Sequence, residues 1–503
     1  MKKIFAIMMT ICLLVAAVCI TVFAADAPAS DVVLRISALK KDGTTVVLND
    51  YTVFEEGWNA AMALADNSKE MKKNDYDRIV VDFYADWNAN EDGEFTKDGG
   101  DGFKWGTIYF QDDVRMTLNL NGHTINRGLK DWEYINNWRY NGEVMYIDED
   151  ADVIINDGTI TGGFSCNGAG GIHIHDADVT LNNVNIVGNS VEDDKGAGIA
   201  LYDDAVLTMN GGCISNNRFY HTDTIFEYTE GALYVDDSVA VLNNVVISGN
   251  DHAGKSGTSA LVGVAVSLEG DAEVTLNNCL VENNGIKENT DATSIFYADD
   301  DDCVLTLNNT DIKNNGIRTY SYYELGSSAI FMSRAKLTIN GGKIEGNHTR
   351  SIFSVMPDGS SATKVEGTAI INNDSRIIGY DFNCDPVKYT FTNCTFNNNR
   401  DPESKYAFHN ENHSAVGIIG NILFVDCDLG DSTFSTKQGF SFSDSSKMAA
   451  GSIFGEGSLI MGISLLALAA SIASVGVCIS LHKKNVVPAT ANKAQETEGK
   501  DEK

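Results

Sequence analysis

Proline is scarce, with five residues in 503. A residue without an N–H interrupts a strand ladder, so its scarcity suits long uninterrupted runs of backbone hydrogen bonds. Basic residues are few as well: 37 Lys and Arg stand against 70 Asp and Glu, for a net charge of −33. Such a chain repels nucleic acid and anionic lipid, which removes both as partners of its bulk. What remains is a solvated acidic surface with an attraction for cations or basic proteins. No Cys-x-x-Cys pair occurs among the ten cysteines, so a structural zinc site is not expected. Seven cysteines (Cys166, Cys213, Cys279, Cys303, Cys384, Cys394 and Cys427) lie between the two long apolar runs, an odd number at irregular spacing that does not make a disulfide scaffold. All five tryptophans fall between Trp58 and Trp138. There is no Leu-Pro-x-Thr-Gly anchoring signal, and the chain ends polar rather than apolar, which argues against a glycolipid anchor.

What is present is a returning phrase. It reads Leu181-Asn182-Asn183-Val184-Asn185-Ile186-Val187-Gly188-Asn189, with an apolar leader, small polar residues, a second apolar residue and a closing Asn. It recurs from Met209, Leu242, Leu276, Leu307, Ile339 and Phe391, with looser copies at Leu120, Ile155, Ile371 and Phe424. Self-similarity at 20–35 residues predicts a solenoid whose units bury their apolar side only against neighbours. Runs such as Ile172-His173-Ile174-His175 and Leu233-Tyr234-Val235 alternate with period two, which predicts strands with one buried face. Asn tolerates left-handed backbone angles at corners, and its carboxamide can bond to the corner above and below. Two ladders are therefore predicted. One runs through Asn182, Asn210, Asn243, Asn277, Asn308 and Asn340, the other through Asn189, Asn217, Asn250, Asn284, Asn315, Asn347 and Asn399. Cys279, Cys394 and Cys427 share one repeat position, three after the leader. Cys394 and Cys427 would be neighbours along the stack, close enough for a disulfide, although buried free thiols fit equally well.

Residues 1–24 read as a secretory signal, with Lys2 and Lys3 ahead of an uncharged apolar run and Val22-Phe23-Ala24 before the expected cut. The run is also long enough to remain as an anchor. Residues 25–106 form an N-terminal cap region, in which Trp58, Ala61, Met62 and Ala65 place one apolar face on a helix over Phe54–Asp66. Ile79–Ala85 and Thr107–Phe110 read as strands. The solenoid is expected over 107–430, and Ser-, Gly- and Phe-rich residues 431–457 as a flexible stalk. Residues 458–481 carry no charge and can span a bilayer as one helix. His482-Lys483-Lys484 then places the tail, 482–503, in the cytoplasm and the bulk outside.

Gly170-Gly171-Ile172 and Gly196-Ala197-Gly198-Ile199, with Phe396-Asn397-Asn398-Asn399, resemble the paired phrases of polymorphic outer-membrane and related bacterial surface repeats. Over residues 107–430 the chain resembles a right-handed parallel β-helix of the pectate-lyase-like class. The resemblance implies an all-β, right-handed parallel β-helix solenoid with an N-terminal capping helix. It is specific for fold and poorly specific for function. Unlike the outer-membrane proteins, the chain shows no C-terminal β-barrel pattern, and its terminal helix suits a single plasma membrane.

Three sets of residues are candidates for function. His175, Tyr202, Asp236 and Glu269 fall near one outward column, with His173 beside it, and could host acid–base chemistry. Polysaccharide lyases of the resembled class need an Arg or Lys base, which this column lacks. Of the pectin-hydrolase motifs only Asn289-Thr290-Asp291 matches by letters. A solvated polar face is the preferred account of the column. Asn88, Asn90, Asp92 and Glu94 alternate as oxygen ligands do at the start of a calcium loop, and Asp299–Asp302 is a second acidic turn. Either could bind Ca2+ weakly, and no cofactor is required. Third, the long insertions follow the closing Asn and should emerge along one edge. They carry Arg218, Tyr220, Tyr228, Arg318, Tyr320, Tyr322, Tyr323, Trp132 and Trp138, side chains favoured in glycan and protein contacts. The sequence thus favours a non-enzymatic, membrane-anchored cell-surface protein for adhesion or for glycan or protein binding. The alternatives are a membrane-tethered polysaccharide lyase or glycoside hydrolase, and a structural envelope protein.

Overall fold

A computed structural model of the chain describes residues 29–89, 103–104, 106–129, 142–166, 168–192, 194–221, 231–254, 263–285, 294–316, 329–355, 362–380, 387–400, 420–432, 434, 440–443 and 445–447. The chain divides into two units, Met1–Ser452 and Ile453–Lys503. The second unit lies wholly outside the described residues, as do the expected signal (1–24) and bilayer span (458–481). Among the described residues no helix is long and apolar enough to cross a membrane.

Parallel strands dominate. Among the described residues they form one sheet of 24 strands, a second of 11 and a third of four. The chain is all-β, in long stacked parallel sheets compatible with a parallel β-helix solenoid. Each repeat contributes a strand to the second sheet, turns, then runs through two arms of the first sheet around a corner. In one repeat these are Ile199–Tyr202, then Val206–Asn210 and Cys213–Ser215. Period-two sequence is what makes this work. Inward residues such as Ile199 and Leu201 are buried and meet Leu233 and Val235 of the next repeat in register. The leaders stack likewise, Leu181 on Met209 on Leu242 on Leu276.

The corners explain the asparagines. Asn183, Asn244, Asn278 and Asn309 all have φ between 48° and 57°. This left-handed region is costly for most side chains but accessible to Asn. Gly341 takes the same corner with φ 75°, where an added Cβ would come within 2.5 Å of the Asn309 carboxamide oxygen. Both predicted ladders are present. Along the first, each Nδ2 donates to the Oδ1 one repeat back: Asn182 to Asn156 at 2.8 Å, Asn210 to Asn182 at 2.9 Å, and so on to Asn340 on Asn308 at 2.8 Å. The second ladder is buried from Asn189 to Asn399 and includes Asn373, which the repeat alignment missed. The looser copy placed at Ile371 is out of register. Val365 is the residue that pairs with Ile339 and Phe391.

At the N-terminus the helix Phe54–Ala65 buries Trp58, Ala61, Met62 and Ala65 as expected, with Glu55 and Glu56 in its first turn where the helix dipole favours acids. Trp58 meets Phe110 edge-on at 5.1 Å, so the helix packs on the strand Thr107–Phe110 of the second sheet, which Phe103–Lys104 flanks antiparallel as the end strand. The cap also contains an antiparallel hairpin, Leu34–Lys40 with Thr45–Tyr51, that the sequence pattern did not reveal. At the other end the stack runs past 430. Phe440–Phe442 pairs in parallel with Gly420–Val425, and Lys447 bridges Asp428. The region expected to be a stalk therefore begins with a further strand of the first sheet.

Candidate functional site on the outer face of the second sheet

Alternation in the second sheet turns one set of side chains outward, and parallel register lines them up. His175 lies opposite Tyr202, and Asp236 opposite Glu269. The step from Leu201 to Val235 carries the column on from Tyr202 to Asp236. The sequence-derived column is thus assembled. Two residues earlier along each strand runs a second row, of which the sequence had singled out only His173: Tyr146 opposite His173, and Ala200 opposite Tyr234. Rings from both rows pack against one another at tilted angles of 40–49°. Tyr146 and His173 are 4.4 Å apart between centroids, His173 and Tyr202 4.9 Å, Tyr202 and Tyr234 5.5 Å. Burial sets the protonation of these rings. It leads the shift of the Tyr146 hydroxyl up to about 12, with Asp148 adding to it. It also pushes the His173 imidazole down to about 3, with His175 adding to the effect.

At one end of the ring row His175 sits between carboxylates, its Nε2 3.0 Å from Asp203 and its Nδ1 3.5 Å from Asp148. Tyr109 donates its hydroxyl to Asp148. Asp148, Glu149 and His175 each offer a ligand atom within 4.8 Å of the others. One nitrogen and two carboxylates fall short of the six to eight oxygens calcium prefers.

At the other end lies a tighter network. The Lys195 ammonium donates to the Tyr234 hydroxyl at 2.6 Å and to Glu269 at 2.7 Å. The Tyr234 hydroxyl in turn lies 2.5 Å from Glu269 and 3.1 Å from Asp236. Lys195 corrects the sequence reading, which saw no basic residue here. It comes from the loop ahead of Ile199–Tyr202 and reaches a carboxylate 74 residues on. The two acids are driven apart. Burial and then the Glu269 charge raise Asp236. Burial would raise Glu269 too, but hydrogen bonds from Lys195 and Tyr234 outweigh it and leave Glu269 below its usual value. Burial, followed by the bond to Glu269, holds the Tyr234 hydroxyl protonated far above its usual range. Neighbouring carboxylates whose environments separate their proton affinities are the raw material of an acid and base pair.

The other candidates fare differently. Tyr228, Arg318, Tyr320, Tyr322, Tyr323, Trp132 and Trp138 lie outside the described residues, as do Asn90, Asp92, Glu94 and Asn289-Thr290-Asp291. Asn88 is no free ligand, since its Oδ1 accepts from Asn126 at 2.9 Å as a rung of the amide stack. Tyr220 is a correction. It belongs to the strand Arg218–His221 of the third sheet and is buried, 6.2 Å from Phe164, rather than displayed on a loop. Arg218 is half-exposed, over the Tyr220 ring at 5.2 Å and 3.5 Å from Asp251. In the acidic turn, Asp299 accepts from Tyr297 at 3.0 Å and Asp300 from the Gly270 N–H at 2.9 Å, so both serve the fold. No family model, no curated protein and no solved structure matches this chain.

Proposed function

We propose that the chain is a membrane-anchored, surface-displayed right-handed parallel β-helix of the pectate-lyase-like kind that binds a glycan or a glycosylated protein. The binding surface is the outer face of the second sheet, and Tyr228, Arg318, Tyr320, Tyr322, Tyr323, Trp132 and Trp138 are further contact residues suggested by the sequence alone. The single observation behind it is the half-buried ring row Tyr146, His173 and Tyr202, flanked by His175 with Asp148 at one end and Lys195 with Glu269 at the other. Rings take the apolar faces of sugars, and fixed carboxylates and an ammonium take their hydroxyls. Export and anchoring follow from the two apolar runs, with the basic tail inside. Calcium has no required part in it.

The test is a glycan and matrix-protein binding screen of the full chain in detergent. Binding should weaken at least tenfold in Tyr202→Ala and in Glu269→Gln, and further when Tyr320, Tyr322 and Tyr323 become Ala together. No ligand in the screen, or affinity unchanged in all of these variants, sinks the proposal.

One observation favours a second reading, a membrane-tethered polysaccharide hydrolase or lyase. Asp236 and Glu269 have opposite shifts and share one hydroxyl. Their accepting oxygens, 3.1 Å and 2.5 Å from that hydroxyl, are too close together for the ~6.5–9.5 Å carboxyl spacing of inverting glycosidases. Such an enzyme would then work with retention. Release of reducing ends or unsaturated products, abolished by Asp236→Asn, would make it the better account.

A further inference from the structure

Cys279, Cys394 and Cys427 share one place in the repeat, and each thiol donates to the carbonyl of the leader one repeat back: Leu242 at 3.4 Å, Val365 at 3.3 Å and Phe391 at 3.3 Å. Thr310 fills the same place and donates to the Leu276 carbonyl at 3.1 Å. A small side chain with one donor is therefore what this corner requires. For Cys279 that is the whole account, because the next repeat offers Thr310 at 3.3 Å from its backbone N–H.

Cys394 and Cys427 differ in having each other. Phe391 pairs with Phe424 and Thr392 with Val425, Thr395 bridges Asp428, and the Asp428 N–H donates to the Cys394 carbonyl at 2.8 Å. The two cysteines therefore face one another across adjacent parallel strands. Strands in a sheet lie about 4.8 Å apart, inside the Cα separation a disulfide accepts. Each thiol perturbs the other, lowering Cys427 to about 7 and raising Cys394. Both are 1% exposed and reduced in this structure.

We infer that Cys394 and Cys427 form a disulfide that closes the last turns of the solenoid. The oxidant is a low-molecular-weight disulfide of the glutathione class. The Cys427 thiolate attacks one of its sulfurs, forming a mixed disulfide and expelling one small thiol. The Cys394 thiolate then attacks Cys427 Sγ, the protein S–S bond forms, the mixed bond breaks and a second small thiol leaves. Two protein thiols are oxidised by two electrons, the small disulfide is reduced, and the two protons pass to the released thiols. Access needs local opening. Among the described residues only Phe440–Phe442 and the short contact of Ser446 and Lys447 with Cys427 and Asp428 lie beyond Cys427 in the stack, and the end of a stack opens most readily.

The full chain in detergent is incubated with oxidised glutathione, residual thiols are alkylated, and a non-reducing peptide map is recorded by mass spectrometry. A Cys394–Cys427 crosslinked peptide, reversed by dithiothreitol, is expected, with a higher melting temperature in the oxidised sample than in the reduced one. Cys279→Thr should keep both effects and Cys394→Thr should lose both. Threonine is chosen because Thr310 shows it satisfies this corner, so the variant keeps the fold. Full alkylation of both cysteines, glutathione retained on Cys427 without closure, or crosslinks to other cysteines instead would overturn the inference. None of these outcomes depends on whether a glycan binds.

Discussion

In the middle of the inner row a buried asparagine uses its whole carboxamide. Asn284 Oδ1 accepts from the backbone N–H and the Nδ2 of Asn250, at 3.1 Å and 3.0 Å, while its own Nδ2 donates to the Ile247 carbonyl and Asn315 Oδ1, both at 3.0 Å. No apolar residue can replace it without stranding groups on both sides. Asn284→Ala should therefore cost about 3 kcal/mol or more in urea unfolding. Asn277 lies in the half-exposed row, where water can substitute, and its alanine variant should cost only about 1 kcal/mol. Equal losses would show that burial does not govern the row. His173 sets a second residue-scale expectation. Its folded pKa of about 3 lies below the free value of 6.5, so the unfolded chain takes up the proton first. Its contribution to stability is complete above 6.5 and is lost as pH falls through the window towards 3, by at most about 1.4 kcal/mol per pH unit. His173→Asn should flatten that limb in unfolding curves taken at successive pH values, and an unchanged slope would show that another group carries it. Asn182 and Asn217 were legible because each flanks a left-handed corner residue, Asn183 and Asn216, at a fixed repeat position where the amide finds its partners along the stack. Lys195 was not, because nothing local marks a loop lysine that reaches across two repeats.

At the scale of the element, the N-terminal helix matters most. Trp58 is fully buried and packs against Phe54 and Phe110. Trp58→Ala should cost about 3–5 kcal/mol and uncover the apolar side of Thr107–Phe110, so that the protein aggregates before it melts. Light scattering followed alongside circular dichroism would show the order. Melting without scatter would mean that the hairpin Leu34–Tyr51 guards the edge by itself. The helix was visible in sequence because Trp58, Ala61, Met62 and Ala65 mark its period directly. The hairpin was not, because Leu34–Ala38 buries its polar positions Arg35 and Ser37 along with its apolar ones, so its alternation does not mark a single buried face. Tyr220 was misplaced for a related reason. An aromatic residue just after the closing Asn looks the same whether it starts a buried strand or an exposed loop, and only the pairing of Arg218–Tyr220 with Ser190–Glu192 separates the two.

For the molecule as a whole, period and corner chemistry carried the architecture further than they carried function. The stacked parallel sheets and the column His175, Tyr202, Asp236 and Glu269 followed from alternation plus a fixed repeat. The partners that give the column its chemistry, Tyr146, Tyr234 and Lys195, depended on which residues two positions away share a face and on a loop of variable length. Repeats of unequal length also hid the register at Val365, where Glu366-Gly367 replaces the usual Asn pair. The end of the stack was missed because Phe440–Phe442 sits in a Ser- and Phe-rich stretch too short to show a period.

The two carboxamide rows are uncharged, and every rung offers its neighbour the same donors and acceptors. A turn copied or deleted whole would leave the rungs on either side able to rejoin without a new contact type. Descendants of this gene can thus gain or lose turns by duplication and excision while the cross-section stays constant, and the outward column inherits new positions each time.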